Sequence, residues 1–340
     1  MKNEKCAAVI VCFNEIKCIK KILLRLIEQR FKLKFIICID NSDTKIQAQM
    51  EELCYKFSKK YSIKIIYISL KCNIGSSGGF ALGMKTAYEN GADWIWLNDQ
   101  DGLPHKNCLY ELMKEAKRKN IPCIISPIVL DFNNKILYDF RQKINYWGNG
   151  YKLTNYKDIN EVDRVGTTGI LISKNIIKKI GFYDYINFFV GNEDFDYCFR
   201  AKNENYKIYL CKNAIYFHPD LKRKDKKRYR LIKYLPPYFG KIANKYLPPY
   251  FGKIEKNDNK REELYLKGNV YLYSKYSPKH LFLISLIFSI IMVFVGKIFL
   301  QKIEIKKTLS LYREGILNSK GKRNDNKKIE NYIYKFTKFY

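Results

Sequence analysis

The first hundred residues alternate between apolar runs and amphipathic stretches. Four runs have the length and composition of buried strands, at 7–13, 34–40, 63–70 and 93–99. The stretches between them have helical periodicity, from Glu15 to about residue 30, from about residue 45 to 61, and up to residue 88. This alternation is typical of βαβ units. We therefore predict an α/β fold with a mostly parallel, Rossmann-like sheet and helices on both faces.

After about residue 120 the pattern is mixed. Two strand-like runs, CIISPIVL and VGTTGILIS, precede the polar helical run NEDFDYCFRAK, and two short strands, YKIYL and AIYF, follow it. These elements complete one compact domain, which we predict over residues 1–220.

Two further regions follow the predicted domain. Residues 221–262 form a predicted basic linker that contains a near-identical tandem, KYLPPYFGKIAN followed by KYLPPYFGKIEK. The tandem is too short for a solenoid repeat. Residues 263–340 are predicted as a helical C-terminal region whose apolar segment, 281–300, approaches the about 20 residues of a membrane span. A span, an in-plane helix and a buried oligomer helix remain open, and the basic flanks favour membrane association.

The chain has 63 basic and 33 acidic residues, a formal net charge of +30. Such an excess predicts an anionic partner, either nucleic acid, acidic lipid headgroups or a phosphorylated substrate. A compositional bias of the source genome toward Lys, Asn and Ile explains the excess equally well. The ten cysteines contain no CxxC pair, and the N-terminus lacks a signal-peptide layout. We therefore expect buried thiols and a cytoplasmic domain.

Polar or glycine-rich residues follow each of the four predicted strands. In open α/β sheets ligands bind beyond the carboxyl ends of the strands. Four groups of residues are expected at that edge, namely Asn14–Glu15, Asp40–Ser42, Asn73–Gly79 and Asp99–Asp101. Their agreement predicts a nucleotide-binding rim.

Two of these groups also suit more specific chemistry. Asp99 and Asp101, two apart on an extended turn, are either a solvated strand end or ligands of a hard divalent cation. The loop CNIGSSGGF at 72–80 is either a structural turn or a set of backbone amides for a diphosphate or a sugar hydroxyl. It matches neither the P-loop nor the GxGxxG pattern.

A second acidic cluster lies in GNEDFDYCFR, at residues 191–200. Asp196 and Arg200 are i and i+4 on the predicted helix, as in a structural ion pair. Asp194 has no such partner and is a candidate general base. His218 follows a strand-like run and is either structural or a metal ligand beside carboxylates.

Together these residues resemble the family 2 inverting glycosyltransferases of the GT-A fold, and within them the bacterial galactofuranosyltransferase/rhamnosyltransferase group. The resemblance runs from about residue 6 to 220, in the order VIVCFNE, IDNSDT, NIGSSGGFALGM, GADWIWLNDQDGLP, VGTTGILIS, FFVGNEDFDYCFRAK and YFHPD. It continues more weakly through LYLKGNVYLYSKY and YREGILNSKGKR.

The resemblance implies a role for each candidate residue. The nucleotide-sugar would be bound by Asn14, Glu15, Asp40, Asn41, Asn73, Gly78 and Gly79. The ligands of Mg²⁺ or Mn²⁺ would be Asp99, Asp101 and His218. Asp194 would be the catalytic base, and the acceptor side would include Thr167, Thr168, Gly169 and Glu193.

The implied donor is UDP-galactofuranose, because NIGSSGGFALGM and DWIWL are similar to the galactofuranosyl branch. The NDQDG motif has Gln100 where that branch commonly has a third aspartate, and a DQD form is found in rhamnosyltransferases, so dTDP-rhamnose is the alternative donor. The expected acceptor is a lipid-linked or polysaccharide precursor of a cell-surface glycan (LPS/LOS, capsule or O-antigen). We expect the protein to lie at the cytoplasmic face of the bacterial inner membrane, on its anionic lipids. We expect no nucleic-acid partner, and whether the chain forms a homo-oligomer stays open.

Two alternatives come from other functional classes. A sugar nucleotidyltransferase shares the sheet and the metal aspartates, but it favours a glycine-rich loop with Arg or Lys after the first strand, where this chain has CFNEIK. A non-catalytic basic protein that binds nucleic acid or membrane would not need Asp194 for its activity.

Overall fold

The structure is a computed structural model that describes residues 4–137, 141–144, 150–151, 153, 157–219, 271–272, 275–276 and 313. The predicted linker 221–262 and the apolar segment 281–300 lie outside the described residues. No helix within the described ranges is long and apolar enough to cross a membrane. The predicted division of the chain at 220 and 262 therefore stays a prediction.

The first part of the domain contains the alternating strands and helices that the apolar runs predict. In chain order they are β1 (Cys6–Cys12), α1 (Ile16–Ile27), β2 (Phe35–Asp40), α2 (Thr44–Tyr61), β3 (Lys64–Ser69), α3 (Gly75–Glu89) and β4 (Trp94–Asp99). The predicted strand 93–99, for example, is observed as β4. Strands β1, β2 and β4 are buried along almost their whole length, which explains why their sequences are continuous apolar runs.

The second part is more irregular. Its elements are β5 (Leu103–Pro104), α4 (Cys108–Lys119), β6 (Cys123–Leu130), β7 (Arg141–Ile144), β8 (Gly150–Tyr151), β9 (Ile159–Glu161), β10 (Arg164–Val165), β11 (Ile170–Ser173), α5 (Lys174–Ile180), α6 (Glu193–Asn203) and β12 (Lys207–Phe217). The prediction of two short strands near the end was wrong, since both belong to β12. The register of β12 against β6 shifts between Cys211 and Ile215, where polar residues interrupt the apolar pattern.

The strands of the main sheet are ordered β3-β2-β1-β4-β11-β6-β12-β5, with β9 paired to β12. Strands β3, β2, β1 and β4 are parallel. Strand β11 is antiparallel to both β4 and β6, whereas β6 and β12 are parallel. The predicted parallel sheet is therefore confirmed for the first half of the domain, and the second half is mixed.

Strand β1 lies between two apolar layers. Its side chains alternate, so that Ala7 and Val9 join the layer under α3, α5 and α6, while Ala8 and Ile10 join the layer under α1, α2 and α4. All four are completely buried. Eight of the ten cysteines are likewise buried, and all ten are free thiols. Because helices cover both faces, the strand ends are the natural place for a polar site.

The glycine–serine run begins helix α3 at Gly75. The expectation that residues 72–80 form a loop was therefore wrong for most of this stretch. A Cβ at Gly79 would lie 2.7 Å from Val11 Cγ1, and one at Gly83 would lie 2.2 Å from Val9 Cγ1. These glycines let α3 approach β1 closely. Sequence propensity cannot show this, because glycine disfavours a helix by about 1 kcal/mol unless packing requires it.

We expect Gly83→Ala to lower the free energy of unfolding by about 1–3 kcal/mol, the range for an overpacked core. The added methyl group meets a β-branched side chain on a buried strand, which has little rotamer freedom. Urea denaturation monitored by circular dichroism measures the change. Stability equal to or above that of the wild type, as helix propensity alone predicts, would refute close packing between α3 and β1.

Candidate active site

The carboxyl ends of β1, β2 and β4 lie side by side at one edge of the sheet. In the pairing register Cys12 is opposite Asp40, and Val11 is opposite Asp99. The residues that follow these strands are therefore neighbours in space, as predicted for the ligand-binding edge. We call this edge the rim.

Asn14 joins two loops of the rim. Its side chain accepts a hydrogen bond from the Asp43 backbone N–H at 3.0 Å and donates one to the Asp43 carboxylate at 3.1 Å. Its own N–H donates to Ser42 Oγ at 2.8 Å. The φ angle of Asn14 is 55°, a left-handed conformation that asparagine adopts more readily than most residues. The next residue, Glu15, precedes α1 and has an exposed side chain.

Asp40 fixes the loop after β2. It is completely buried. One carboxylate oxygen accepts a hydrogen bond from the Ser42 N–H and the other from the Tyr67 hydroxyl, each at 2.8 Å. Both oxygens therefore already have protein donors. The ribose contact implied by the resemblance stays a prediction, while the structural support that Asp40 gives to the rim is observed.

Asn41 connects the same loop to the start of α3. Its amide donates to the Gly75 carbonyl and its side-chain oxygen accepts from the Ile74 N–H, both at 3.0 Å. Asn73 is exposed, although its side-chain oxygen accepts from the Gly75 N–H at 2.8 Å. Glu15 and Asn73 are thus accessible to a nucleotide. Asn41, like the helical Gly78 and Gly79, is buried beneath the rim.

The two aspartates at the end of β4 lie beside His218, which follows β12. His218 Nε2 is 3.3 Å from Asp101 Oδ1 and 3.9 Å from Asp99 Oδ2. The pairing of β12 with β5, which follows the acidic turn, brings the histidine to this position. The grouping of Asp99, Asp101 and His218 expected from the sequence is therefore present.

The hydrogen bonds of His218 fix the chemistry of its ring. Nδ1 is 2.9 Å from the Pro219 carbonyl oxygen, which only accepts, so Nδ1 has the hydrogen. In the neutral ring, Nε2 then has a lone pair that faces two carboxylates. Such a cluster requires a proton on Nε2 or a cation between the groups. Burial lowers the pKa of His218, but the hydrogen bond to Asp101 and the charge of Asp99 raise it above its ordinary value.

The donor set of two carboxylates and one imidazole suits a divalent ion such as Mg²⁺ or Mn²⁺. Within the part of the chain that the structure describes, no three His, Cys, Asp or Glu side chains are arranged as a complete metal site. The residue types suit such an ion in their chemistry, and metal binding by them stays a proposal.

Two consecutive threonines connect Asp194 to the acidic pair. The Thr167 N–H donates to Asp194 Oδ2 at 3.1 Å, and the Thr168 hydroxyl donates to Asp99 Oδ2 at 2.5 Å. Asp194 lies in the first turn of α6, and its other oxygen accepts from the Phe195 N–H at 2.8 Å. Burial raises the pKa of Asp194, and the charge of Asp99 adds to this effect. The turn before β11 therefore sets the position of Asp194 relative to Asp99.

Glu193 is buried beside Asp194 and faces α3. Its Oε1 accepts a hydrogen bond from Ser76 Oγ at 3.1 Å. Burial raises the pKa of Glu193 above the ordinary carboxyl range, and the adjacent charge of Asp194 raises it further. Glu193 therefore joins the helix with the candidate base to the helix at the rim. A direct contact of Glu193 with the acceptor stays a prediction.

Gly169 completes the turn, with a φ of 72°. Its carbonyl accepts a hydrogen bond from Trp96 Nε1 at 3.0 Å, and a Cβ would lie 2.6 Å from the Tyr216 ring. Close packing explains why this residue is glycine. Acceptor contacts of Thr167, Thr168 and Gly169 stay predictions, whereas their structural link between β4 and α6 is observed.

Gln100, between the two aspartates, binds the first rim loop. Its side-chain oxygen accepts from the Phe13 N–H at 2.7 Å, and its amide donates to the Phe13 carbonyl at 3.3 Å. The sequence suggested that Gln100 distinguishes donor sugars. The structure shows that this amide also holds the loop after β1 with both of its polar atoms, and the link to the donor sugar stays a prediction. An aspartate at this position would lack the donating half of that pair.

We expect Gln100→Met, a substitution of similar volume, to raise the donor KM about five- to tenfold with little change in kcat. Each of the two lost hydrogen bonds contributes about 0.5–1.5 kcal/mol. Their loss makes the loop after β1 less ordered, which weakens donor binding. Steady-state kinetics and titration of the donor nucleotide measure the effect, with Gln100→Glu as an intermediate case that keeps one acceptor. A fall in kcat at unchanged KM would place Gln100 in the chemical step instead.

Comparison with known proteins gives a family match. The sequence profile described as "Glycosyl transferase family 2" matches residues 7–181, which is just over half of the 340 residues. The galactofuranosyltransferase GlfT1 of Mycolicibacterium smegmatis is 25% identical over 224 residues, covering 64% of this chain and 72% of the relative.

Two solved structures share the fold. GalNAc-T7, crystallised with UDP, GalNAc and Mn²⁺, gives a TM-score of 0.52 at 12% identity over 72% of this chain. TarS of S. aureus gives 0.52 at 13% identity over 92% of this chain. The matched regions span about half of those two chains, 54% and 55%. At such low identity the likeness concerns the fold, which is a mixed α/β sheet of the GT-A type with flanking helices.

Proposed function

Because this chain belongs to glycosyl transferase family 2, we propose that it transfers galactofuranose from UDP-galactofuranose to a hydroxyl group of a glycan acceptor, with inversion at the anomeric carbon. The observation that supports this most strongly is the pair of threonine contacts between the rim and α6. Thr168 binds Asp99 and Thr167 binds Asp194. A candidate base and a candidate diphosphate site are thereby held at a fixed separation.

In the proposed mechanism Asp194 accepts the proton of the acceptor hydroxyl as that oxygen attacks the anomeric carbon. A hydroxyl is a poor nucleophile, so a positioned carboxylate increases the rate. Two backbone N–H groups hold the carboxylate in place, from Thr167 and Phe195. The raised pKa of Asp194 makes it a stronger base than an exposed aspartate. No covalent intermediate is required for a single inverting displacement.

We propose that Asp99, Asp101 and His218 hold Mg²⁺ or Mn²⁺. When bound, the ion neutralises negative charge on the diphosphate of the donor. The support comes from the ring of His218, whose Nδ1 hydrogen points to Pro219 and leaves Nε2 toward the carboxylates. GalNAc-T7, which shares the fold, was crystallised with UDP and Mn²⁺.

The exposed residues of the rim are the proposed contacts of the nucleotide. Glu15 and Asn73 are accessible there. Asp40, Asn41 and Asn14 order the loops around them through their hydrogen bonds to neighbouring backbone groups. A rim that is ordered before binding loses less conformational entropy when the nucleotide binds. The proposed role of the buried residues is therefore preorganisation of the donor site.

The choice of donor rests on similarity to the galactofuranosyltransferase GlfT1. The alternative is dTDP-rhamnose, which the DQD motif suggested. Because Gln100 binds the Phe13 backbone, its identity bears on the nucleotide loop more directly than on the sugar. Nucleoside diphosphate release from UDP-galactofuranose and from dTDP-rhamnose, each with and without Mn²⁺, distinguishes the donors. Turnover of dTDP-rhamnose alone would overturn the proposed donor.

We further propose a lipid-linked or polysaccharide acceptor of a bacterial cell-surface glycan, handled at the cytoplasmic face of the inner membrane. The support is the formal charge of +30 and the apolar segment at 281–300. Lysines near an anionic leaflet contribute about 1 kcal/mol each to binding. Sedimentation with vesicles of anionic or neutral lipid tests this location, and equal binding to both would count against it.

A further inference from the structure

Asp196, two residues after the candidate base, is completely buried in a network of charged and hydroxyl groups. One oxygen accepts from Arg200 Nε at 2.6 Å, and the other accepts from Lys275 Nζ at 3.1 Å and the Tyr276 hydroxyl at 2.7 Å. Burial raises the pKa of Asp196, but Arg200 and Lys275 outweigh this and hold it below its ordinary value. A buried carboxylate needs such partners.

The Asp196–Arg200 pair expected from the sequence is therefore present, but it is only half of the network. Lys275 and Tyr276 come from a segment 79 and 80 residues further along the chain. The Tyr276 ring also stacks on Phe199 with centroids 4.7 Å apart. Asp196 and Phe199 of α6 are thus held by residues that lie much further along the chain.

The same segment contacts the loop before α6. The Tyr271 hydroxyl donates to Asp184 Oδ2 at 3.2 Å, and Lys275 Nζ donates to the Tyr271 oxygen at 2.8 Å. The Tyr271 ring meets Phe188 edge-on with centroids 5.3 Å apart. Tyr271 therefore orders the loop from residue 184 to 188 against the helix.

That loop in turn contacts α3 at the rim. The Phe189 carbonyl accepts from the Ser77 N–H at 3.3 Å, and a Cβ at Gly75 would lie 2.0 Å from the same oxygen. Ser76, which lies between Gly75 and Ser77, donates a hydrogen bond to Glu193. Contacts therefore run continuously from Tyr271 through the loop to the donor side, and from Lys275 and Tyr276 to α6.

We propose that Tyr271, Lys275 and Tyr276, the C-terminal cluster, are positioning residues that fix the orientation of α6 and hence of Asp194 toward the acceptor hydroxyl. The proposal rests on the proposed role of Asp194. Asp194 itself has two backbone donors, and contacts at Asp196 and Phe199 hold its helix in addition to the hydrogen bonds of Arg200 to the Ile180 and Phe182 carbonyls. A displacement of about 1 Å at a reacting group costs up to about a hundredfold in rate.

Lys275→Met and Tyr276→Phe test the cluster in the full-length chain. Each leaves Asp196 paired with Arg200. We expect kcat to fall about tenfold or more while the donor KM stays within about twofold, and Lys275→Arg to restore most of kcat. The matched control is Lys179→Met, which removes the ion pair between Lys179 Nζ and Glu204 Oε2, 3.3 Å apart at the opposite end of α6. This substitution should leave kcat unchanged.

Hydrogen exchange of the α6 backbone amides gives a readout that does not depend on turnover. We expect faster exchange over residues 193–203 in Lys275→Met and wild-type exchange in Lys179→Met. Unchanged exchange, or a wild-type kcat in an active chain, would overturn the role of the cluster. If the wild-type chain transfers neither sugar, the proposed function fails, while the exchange data still decide whether the cluster orders α6.

Discussion

Replacing Asp194 with asparagine is expected to lower kcat by about 10²- to 10⁴-fold, the contribution of a general base. Asparagine keeps the shape of the side chain and one oxygen, which can accept from only one of the Thr167 and Phe195 N–H groups, and it cannot take up the proton of the acceptor hydroxyl. Donor binding should therefore stay near the wild-type value. Single-turnover kinetics together with UDP titration separate the two effects.

The pH dependence of the wild type provides an independent check of this role. Burial, with a contribution from Asp99, raises the pKa of Asp194 to about 6. A base acts when deprotonated, so kcat should be full above this pH and fall as the pH drops through it. The matched control is Glu204→Gln, an acid at the other end of α6, which should keep both kcat and the pH profile. Wild-type turnover in Asp194→Asn would remove Asp194 from the mechanism.

The second large effect is expected at the acidic pair. Asp101→Asn removes one of the two carboxylates that face His218 Nε2, the nearer at 3.3 Å. We expect kcat/KM to fall about 10²- to 10³-fold, because charge stabilisation by a metal contributes several kcal/mol and each 1.4 kcal/mol is a factor of about ten. Mn²⁺ titration followed by electron paramagnetic resonance should show weaker binding of the ion.

Asp93→Asn is the matched control, since Asp93 precedes β4 at its opposite end and pairs with Lys174. It should leave the affinity for Mn²⁺ unchanged. Chelation of the wild-type chain should abolish turnover, and Mn²⁺ or Mg²⁺ should restore it. Full activity in the chelated protein would contradict the proposed metal, although not the family.

The central strands of the first half were predictable because each is an apolar run long enough to be buried on both faces. The rim was predictable from the polar residues that follow each strand, because the carboxyl ends of parallel strands lie at one edge of the sheet. The helical start at Gly75 was not predictable, since the glycines are required by contacts with Val9 and Val11 that the local sequence does not contain. Tertiary packing outweighs helix propensity there.

The candidate site was predictable in its acids and histidine but not in its supporting contacts. Gln100 and Asn14 bind backbone groups, and such contacts have no sequence signature. The contacts of Lys275 and Tyr276 with Asp196 join positions about 80 residues apart. Only the fold brings them together. Asp40 shows the reverse case, where a polar residue at a strand end is engaged entirely within the protein.

The central claim, that this chain adds galactofuranose to a cell-surface glycan by means of Asp194, is tested most directly by mass spectrometry of glycans from a strain that lacks the chain. The account predicts glycans shortened at a galactofuranose residue, restored by the wild-type chain and not by Asp194→Asn. Unchanged glycans, loss of a rhamnose instead, or restoration by Asp194→Asn would contradict it.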